Sequence, residues 1–313
     1  MTKKIFYSFF IACACILLAP VSSWAQTSGA KLSTLEHELF PKALSPIHRI
    51  TALGAGGSYV KDTYLSPMNY GGYHLKLQTE VYKNLIVNNS LLAKMLNKEP
   101  RAVKNWIRST SFELDFSKTQ NPAKNSDAYY VMAGLDLGYL YKLRLGSTAN
   151  IFIGPNVRGS LGGIYNSRNG NNPGTLKSFN DLNAHVMLTY RVNSASFPVL
   201  FRLSNKINLM GAAFSQEFGE SYYEHFLIDN KRSGIYFTHL GNTVSNRLNF
   251  QVEIPVFDYK TIVIGYQWNS LSNNINNIRT KINSHCLMLG VSTDILPIIG
   301  RNNLLNYISD RLF

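Results

Sequence analysis

A two-residue alternation of apolar and polar side chains, repeated in segment after segment, constrains this chain more than any other feature. Over residues 72–81, Tyr73, Leu75, Leu77, Thr79 and Val81 share one face of an extended strand, and His74, Lys76, Gln78 and Glu80 share the other. Phe112, Leu114 and Phe116 alternate with Ser111, Glu113 and Asp115. Ala133, Leu135, Leu137, Tyr139, Tyr141 and Leu143 form a longer apolar face opposite Gly134, Asp136, Gly138, Lys142 and Arg144. That segment has the length of about 11 residues that a tilted strand needs to cross a bilayer. Leu182, Ala184, Val186, Leu188 and Tyr190 alternate with Asn183, His185, Thr189 and Arg191, and Leu248, Phe250, Val252 and Ile254 with Asn249, Gln251 and Glu253. Ile262, Ile264, Tyr266 and Trp268 share a face, and residues 282–292 read as a closing strand. One such strand would suit a soluble sandwich equally well. Repetition with amides and charges in each polar row does not, because a packed core could not bury them unpaired, whereas a wet lumen could hold them while the apolar row faces lipid. The predicted fold is all-β: an antiparallel transmembrane β-barrel of roughly 10–12 strands.

Turn chemistry separates the segments: residues 166–174 (NSRNGNNPG), 229–234 (DNKRSG) and the Asn-rich stretch 269–277 read as loops. Two stretches break the alternation. Residues 83–106 contain Leu91, Leu92, Met95, Leu96 and Pro100 at a spacing closer to helical, which predicts a loop helix or plug. Residues 302–312 place Leu304, Leu305, Ile308 and Leu312 on one helical stripe, predicting a short C-terminal helix, although Phe313 also resembles the terminal aromatic read by barrel-assembly machinery. Gly54–Gly57 and the run 159–163 (GSLGG) lack the Lys-Ser/Thr and the following helix of a phosphate loop and read as strand bends.

The first residues carry an address. Lys3 and Lys4 precede the apolar run 5–19, Pro20 ends it, and Ser23 and Ala25 flank Trp24 as small residues suited to cleavage before Gln26. Residues 1–25 are read as a signal peptide, 26–47 as an N-terminal periplasmic or plug segment, and 48–313 as the barrel. No later stretch supplies the 18 or so consecutive apolar residues of a spanning helix, although 45% of the chain is hydrophobic. An exported chain of this kind is either soluble beyond the inner membrane or a closed barrel in the outer one. Its 18 Tyr and 17 Phe favour the barrel, whose lipid interfaces take aromatic girdles. Cys13 and Cys15 lie inside the signal, which leaves Cys286 alone and excludes a disulfide framework within the mature chain. The formal charge of +13 becomes +11 without Lys3 and Lys4. Because the cations are dispersed, this points to outer-membrane lipids with anionic head groups as partners and away from nucleic acid.

No motif assigns an activity. The seven His are scattered, without H-x-E, H-E-x-x-H or paired ligand spacing, so no metal or other cofactor is expected. In residues 221–226 (SYYEHF), Ser221 and His225 share a strand face but stand ~13–14 Å apart when extended, too far for a nucleophile–base hydrogen bond. Ser284 and His285 point to opposite faces of a strand. A dyad between strands stays open, with His185, His225, His239 near Ser245, and His285 as its candidate bases. Contacts to a lumen or rim ligand are assigned to His74, Lys76, Glu80, Tyr222, Tyr223, Glu224 and His225. Three function classes remain: a structural or small-solute- or lipid-binding barrel, a channel or transporter for small solutes, and a membrane-embedded lipid-modifying hydrolase. The non-enzymatic classes are favoured. Barrel-assembly and periplasmic chaperone machinery are expected as further partners.

Residues 63–71 (TYLSPMNYG), 154–172 ending in IYNSRNGNN, and 214–226 (FSQEFGESYYEHF), followed by Gly265 and Tyr266, resemble a family of outer-membrane barrel proteins of unknown function common in Bacteroidetes. The resemblance spans nearly all of the mature chain. It implies an outer-membrane barrel and carries no activity with it.

Overall fold

Strands form where the alternation places them, and they run longer than the sequence pattern predicts. The computed structural model describes residues 47–86, 102–170, 172–192, 199–217, 219, 234–257 and 260–295. Its strands are β1 (Ile47–Asp62), β2 (Ser66–Ile86), β3 (Ala102–Gln120), β4 (Asp127–Leu145), β5 (Ala149–Asn166), β6 (Gly174–Val192), β7 (Val199–Phe214), β8 (Ile235–His239), β9 (Thr243–Phe257), β10 (Lys260–Ile275) and β11 (Ile278–Ile295). Each pairs antiparallel with its neighbours in sequence except β8 and β9, which both pair with β7, and β1 pairs with β11 to close the wall. β8 and β9 share one place beside β7, β8 against residues 210–214 and β9 against residues 200–207. The wall therefore has ten places, and among the described residues no helix interrupts it.

Registers fix the shape. The pairing line that leaves β1 at Ile47 passes Lys83, Arg108 and Tyr139, reaches Pro155 in the register set by Gly138–Asn156 and Tyr141–Ile153, continues through Ala184, Ile207, Asn246, Ser270 and Asn283 and returns to β1 at Tyr59, a stagger of twelve residues. With strands ~4.8 Å apart and rising ~3.3 Å per residue, that stagger over ten strands gives a tilt of about 40° and a backbone diameter of about 20 Å. Ile47 and Ile295 are paired at one end, here the terminal end. The distal end is where β1 meets β2, β3 meets β4, β5 meets β6, β7 meets β8 and β10 meets β11.

The outer face is apolar. Leu135, Leu137, Val157, Leu161, Val186, Phe250, Ile264, Leu287 and Leu289 are exposed there, while the residues between them point inward. On β3 the outward row runs from Arg108 through Thr110, Phe112, Leu114 and Phe116 to Lys118. At this tilt the row measures ~25 Å, the height of the apolar band of an outer-membrane barrel. Aromatics edge the band at both ends. Trp106, Tyr139, Tyr141 and Tyr190 lie toward the terminal end, with Trp106 and Tyr141 edge to face at 5.4 Å. Tyr59, Tyr73, Tyr129, Tyr165 and Phe237 lie toward the distal end, with Tyr129 and Tyr165 6.4 Å apart.

The lumen is packed with side chains. An apolar layer near the terminal end comprises Ile50, Tyr82, Ile107, Leu140, Phe152, Met187 and Val263. A second layer near the distal end comprises Val60, Tyr130, Met132, Ile164, Phe179, Ala213, Ile275 and Ile282. Charged, amide and hydroxyl side chains fill most of the remaining space, together with a small apolar cluster of Ala52, Cys286 and Met288. A ten-strand barrel is only slightly wider than one whose side chains fill it, so large inward residues meet at its axis.

Other expectations divide. Inward and outward rows on β2, β3, β4, β6, β9 and β10 are as the alternation predicts, and residues 282–292 do close the barrel within β11. The predicted helical stretch 83–106 begins and ends as strand, since β2 continues to Ile86 and β3 starts at Ala102. Its strand ends satisfy their backbone groups by pairing across the wall, which overrides local spacing. The Asn-rich loop at 269–277 shrinks to a two-residue turn: β10 runs to Ile275, and Asn276 (φ 54) and Asn277 (φ 61) alone make the reversal. Asn tolerates the left-handed region that such a tight hairpin requires. The signal peptide, the segment 26–46, the motif 221–226 and the C-terminal stretch 302–313 lie outside the described residues.

Candidate functional site

Strand alternation points one polar row from every wall place into a space ~20 Å across, so groups far apart in sequence converge at mid-height. Arg158 Nη1 bridges Glu113 Oε2 at 3.0 Å and Asp136 Oδ2 at 2.6 Å. Arg247 holds both oxygens of Asp136, with Nη1 3.0 Å from Oδ2 and Nη2 2.8 Å from Oδ1. Lys206 approaches Asp136 Oδ1 at 3.5 Å, and Lys76 Nζ donates to Glu113 at 3.0 Å and to Asp115 at 3.2 Å. With Asp181 beside Arg158 and Arg247, four cations face four carboxylates. The cluster is close to neutral, and all but Asp181 of its charged groups are ion-paired within it, the condition under which charges tolerate burial.

A second cluster sits nearer the terminal end. Arg202 Nη2 meets Glu253 Oε1 at 2.6 Å and its guanidinium lies 4.9 Å from the Tyr82 ring. His48 Nε2 stands 3.2 Å from Glu253 Oε2, which also accepts from Ser292 Oγ at 3.2 Å. Gln251 links Arg202 to Glu80, and Gln78 donates to Glu80 at 2.8 Å. Toward the distal end, Lys177 Nζ pairs with Asp62 Oδ2 at 2.6 Å.

Of the residues assigned to a ligand site, His74, Lys76 and Glu80 are buried in these lumen networks, where Lys76 and Glu80 bond protein groups instead of an exposed surface. Lys76 and Glu80 belong to different clusters. Tyr222, Tyr223, Glu224 and His225 lie outside the described residues. Sequence reasoning missed Arg158 and Arg202 as the cations that organise the clusters. Arg202 stands in a short row without clear alternation, and Arg158 in a Gly-rich run whose alternation is masked.

Two Ser–His contacts do form between strands. His185 Nε2 is 2.8 Å from Ser204 Oγ, and His74 Nδ1 is 2.9 Å from Ser117 Oγ. His74 Nε2 also stands 3.2 Å from Asp115 Oδ1, although without hydrogen-bond alignment. Spacing alone matches a nucleophile–base pair. Yet Ser117 and His185 are fully buried and His74 and Ser204 nearly so. The lumen cavity, about 60 Å³, is lined by Asp115, Arg158, Asp181, Ser245 and Arg247 and by neither serine of these pairs. Its volume suits about two waters and no substrate. His239 is exposed while Ser245 lines that cavity, and His285 is exposed while Ser284 is buried, so neither couple meets.

The fold and lumen thus define a class: a closed ten-strand barrel of membrane type whose interior is packed with side chains. The chain belongs to the family described as protein of unknown function DUF3316, whose model matches residues 10–302. A comparison with curated proteins gives no match. Among solved structures, the chain is similar to the outer membrane protease OmpT from Escherichia coli, at 7% identity and a TM-score of 0.48, over 80% of this chain and 97% of that one. It is also similar to the translocator domain of the autotransporter NalP from Neisseria meningitidis (9%, TM-score 0.39, 93% and 98% covered). A third is the transport unit of the autotransporter AIDA-I from Escherichia coli (9%, TM-score 0.40, 92% and 98%). These likenesses extend to barrel architecture alone.

Proposed function

We propose that this chain is an outer-membrane barrel that does not conduct solutes and acts through its outer face and ends, as a structural or lipid-binding protein. The packed lumen is the observation that supports this most directly: two apolar layers bracket an ion-paired charge network, with a cavity of about 60 Å³ between the charges and the distal layer. A channel would need a continuous polar path, and both apolar layers interrupt it. A lipid hydrolase would need its Ser–His pair open to the bilayer or the rim, and both pairs in the lumen are enclosed. Export by the signal at residues 1–25, anionic lipids as partners, and insertion by barrel-assembly machinery after escort by periplasmic chaperones belong to this reading. The apolar band and its aromatic edges support it.

Refolded full chain inserted in planar bilayers tests it. The expected record is the baseline of the bare membrane at voltages that open porins. Stepwise, reproducible conductance from protein shown to be folded would replace this reading with the channel.

A further inference from the structure

We propose that the outer face of β11, β1 and β2 at the distal end binds a phosphate-bearing membrane glycolipid, an inference that rests on the membrane-barrel reading above. Lys61 on β1 is directly opposite Lys281 on β11. Both point outward, since Val60, Asp62, Thr280 and Ile282 beside them are buried in the lumen. Lys281 and Arg279, the next outward residue of β11, are exposed, and Lys61 is half-buried. Like charges directly opposite each other on neighbouring strands are destabilising. Among the described residues no carboxylate pairs with any of the three: Asp62, the acid nearest in sequence, turns inward to Lys177 and Thr280.

The wall holds these cations in place. Arg279 N donates to Thr63 Oγ1 at 2.8 Å, and Thr63 N donates to Arg279 O at 3.0 Å. Ser272 is opposite Lys281 and Asn274 opposite Arg279, while Ser270 Oγ donates to Asn283 Oδ1 at 2.7 Å on the same outer face. Cations among hydroxyls and amides match a phosphorylated sugar, to which a guanidinium can donate two hydrogen bonds.

Immediately below, the surface turns apolar and narrow. Outward Ala55 and Gly57 keep β1 low between Leu287 and His285 on one side and Leu75 and Tyr73 on the other. Tyr73 and Leu287 are 78% and 71% exposed. Tyr59 closes the distal end of this trough just beneath Lys61. An occupant must therefore combine an acyl chain with anionic groups above it, which a soluble anion lacks. Outer-membrane barrels keep short turns in the periplasm and longer loops outside. Phe214 and Ile235, the strand ends joined by 20 residues of chain, are at the distal end; the longest join at the other end, between Ile86 and Ala102, has 15, and both wall termini are there too. The trough then opens to the outer leaflet, where the lipid is a phosphorylated glycolipid.

Full-length protein folded in detergent micelles is titrated with bisphosphorylated lipid A, with its dephosphorylated form and with phosphatidylglycerol, and complexes are counted by native mass spectrometry. One lipid A per barrel is expected, bound about tenfold or more tightly than the dephosphorylated form. The double variant Lys61→Gln/Lys281→Gln should lose the same factor, Arg279→Gln somewhat less, and Lys118→Gln nothing. Heat-dependent gel mobility is read on every sample. Folded protein that binds all three lipids alike, prefers phosphatidylglycerol, or ignores the double substitution overturns the inference and leaves the barrel standing; a chain without heat-dependent mobility sinks the barrel reading itself.

Discussion

Arg158 can reach the centre of the lumen because β4 presents Gly134 beside it: a Cβ there would stand 2.6 Å from Cζ of Arg158 and closer still to Nη2. The small residue and the large cation form one device, in which the glycine makes the space and the guanidinium fills it and gathers Glu113 and Asp136. Displacing the guanidinium would take one cation from two buried carboxylates, leaving Glu113 to Lys76 and Asp136 to Arg247 and Lys206, and breaking a buried pair outright costs about 3–5 kcal/mol. Gly134→Val should therefore lower the unfolding free energy by up to about that amount, measured by urea titration of the barrel in lipid vesicles. Gly159→Ala makes the control, because a Cβ on that outward glycine meets its nearest neighbour at 3.4 Å. Such a surface change should stay within about 0.5 kcal/mol. Equal losses at the two sites would mean that Gly134 serves the backbone and not the arginine.

At the level of the strand, β2 shows both what the sequence reveals and where it stops. Its alternation assigns the two faces correctly, with Tyr73 exposed and His74, Lys76, Gln78 and Glu80 buried. Period two says which residues share a face but not what lies across from them. A wet lumen and a packed one have the same alternation, and the difference depends on the wall's stagger, which no single segment carries. Registers also escape local reading: the Ser–His contacts join β6 to β7 and β2 to β3 through pairings absent from the sequence pattern. Turns are misread where composition stands in for geometry, as at 269–277, where Asn residues that look like a loop serve first as strand and then as a tight reversal. The packed lumen changes what substitution should do on β2. Leu77→Arg, on the lipid face, should cost ~2–4 kcal/mol near the midplane. In a wet lumen Lys76→Met would be mild, whereas here it removes the cation shared by Glu113 and Asp115 and should cost ~3–5 kcal/mol. The same urea titration decides the matter, for an unchanged midpoint in Lys76→Met would mean that water reaches those carboxylates.

For the whole molecule, charge is sorted by position. In the lumen Lys76, Arg158, Lys177, Arg202, Lys206 and Arg247 are balanced by Asp62, Glu80, Glu113, Asp115, Asp136, Asp181 and Glu253. The chain carries 31 Lys and Arg against 18 Asp and Glu, so its positive excess lies outside that network. Arg49, Lys83 and Arg108 mark one edge of the apolar band on β1 to β3, and Lys61, Lys118 and Lys281 mark the other. Cations at both edges of an apolar belt are placed to meet anionic head groups on either side of a bilayer. A wall without free edges, bonded across its interior, has no weak strand from which to unravel, and its opening should be cooperative and slow. The expected behaviour is therefore that of a barrel resistant to detergent: an unheated sample in dodecyl sulfate should run faster on a gel than a boiled one, and the protein should fractionate with the outer membrane. The mature chain in that fraction should begin at Gln26, as read by mass spectrometry. Recovery of a soluble periplasmic monomer with an apolar outer face, or of one mobility with and without heating, would contradict the membrane assignment, since nothing else on the described surface would cover that belt from water.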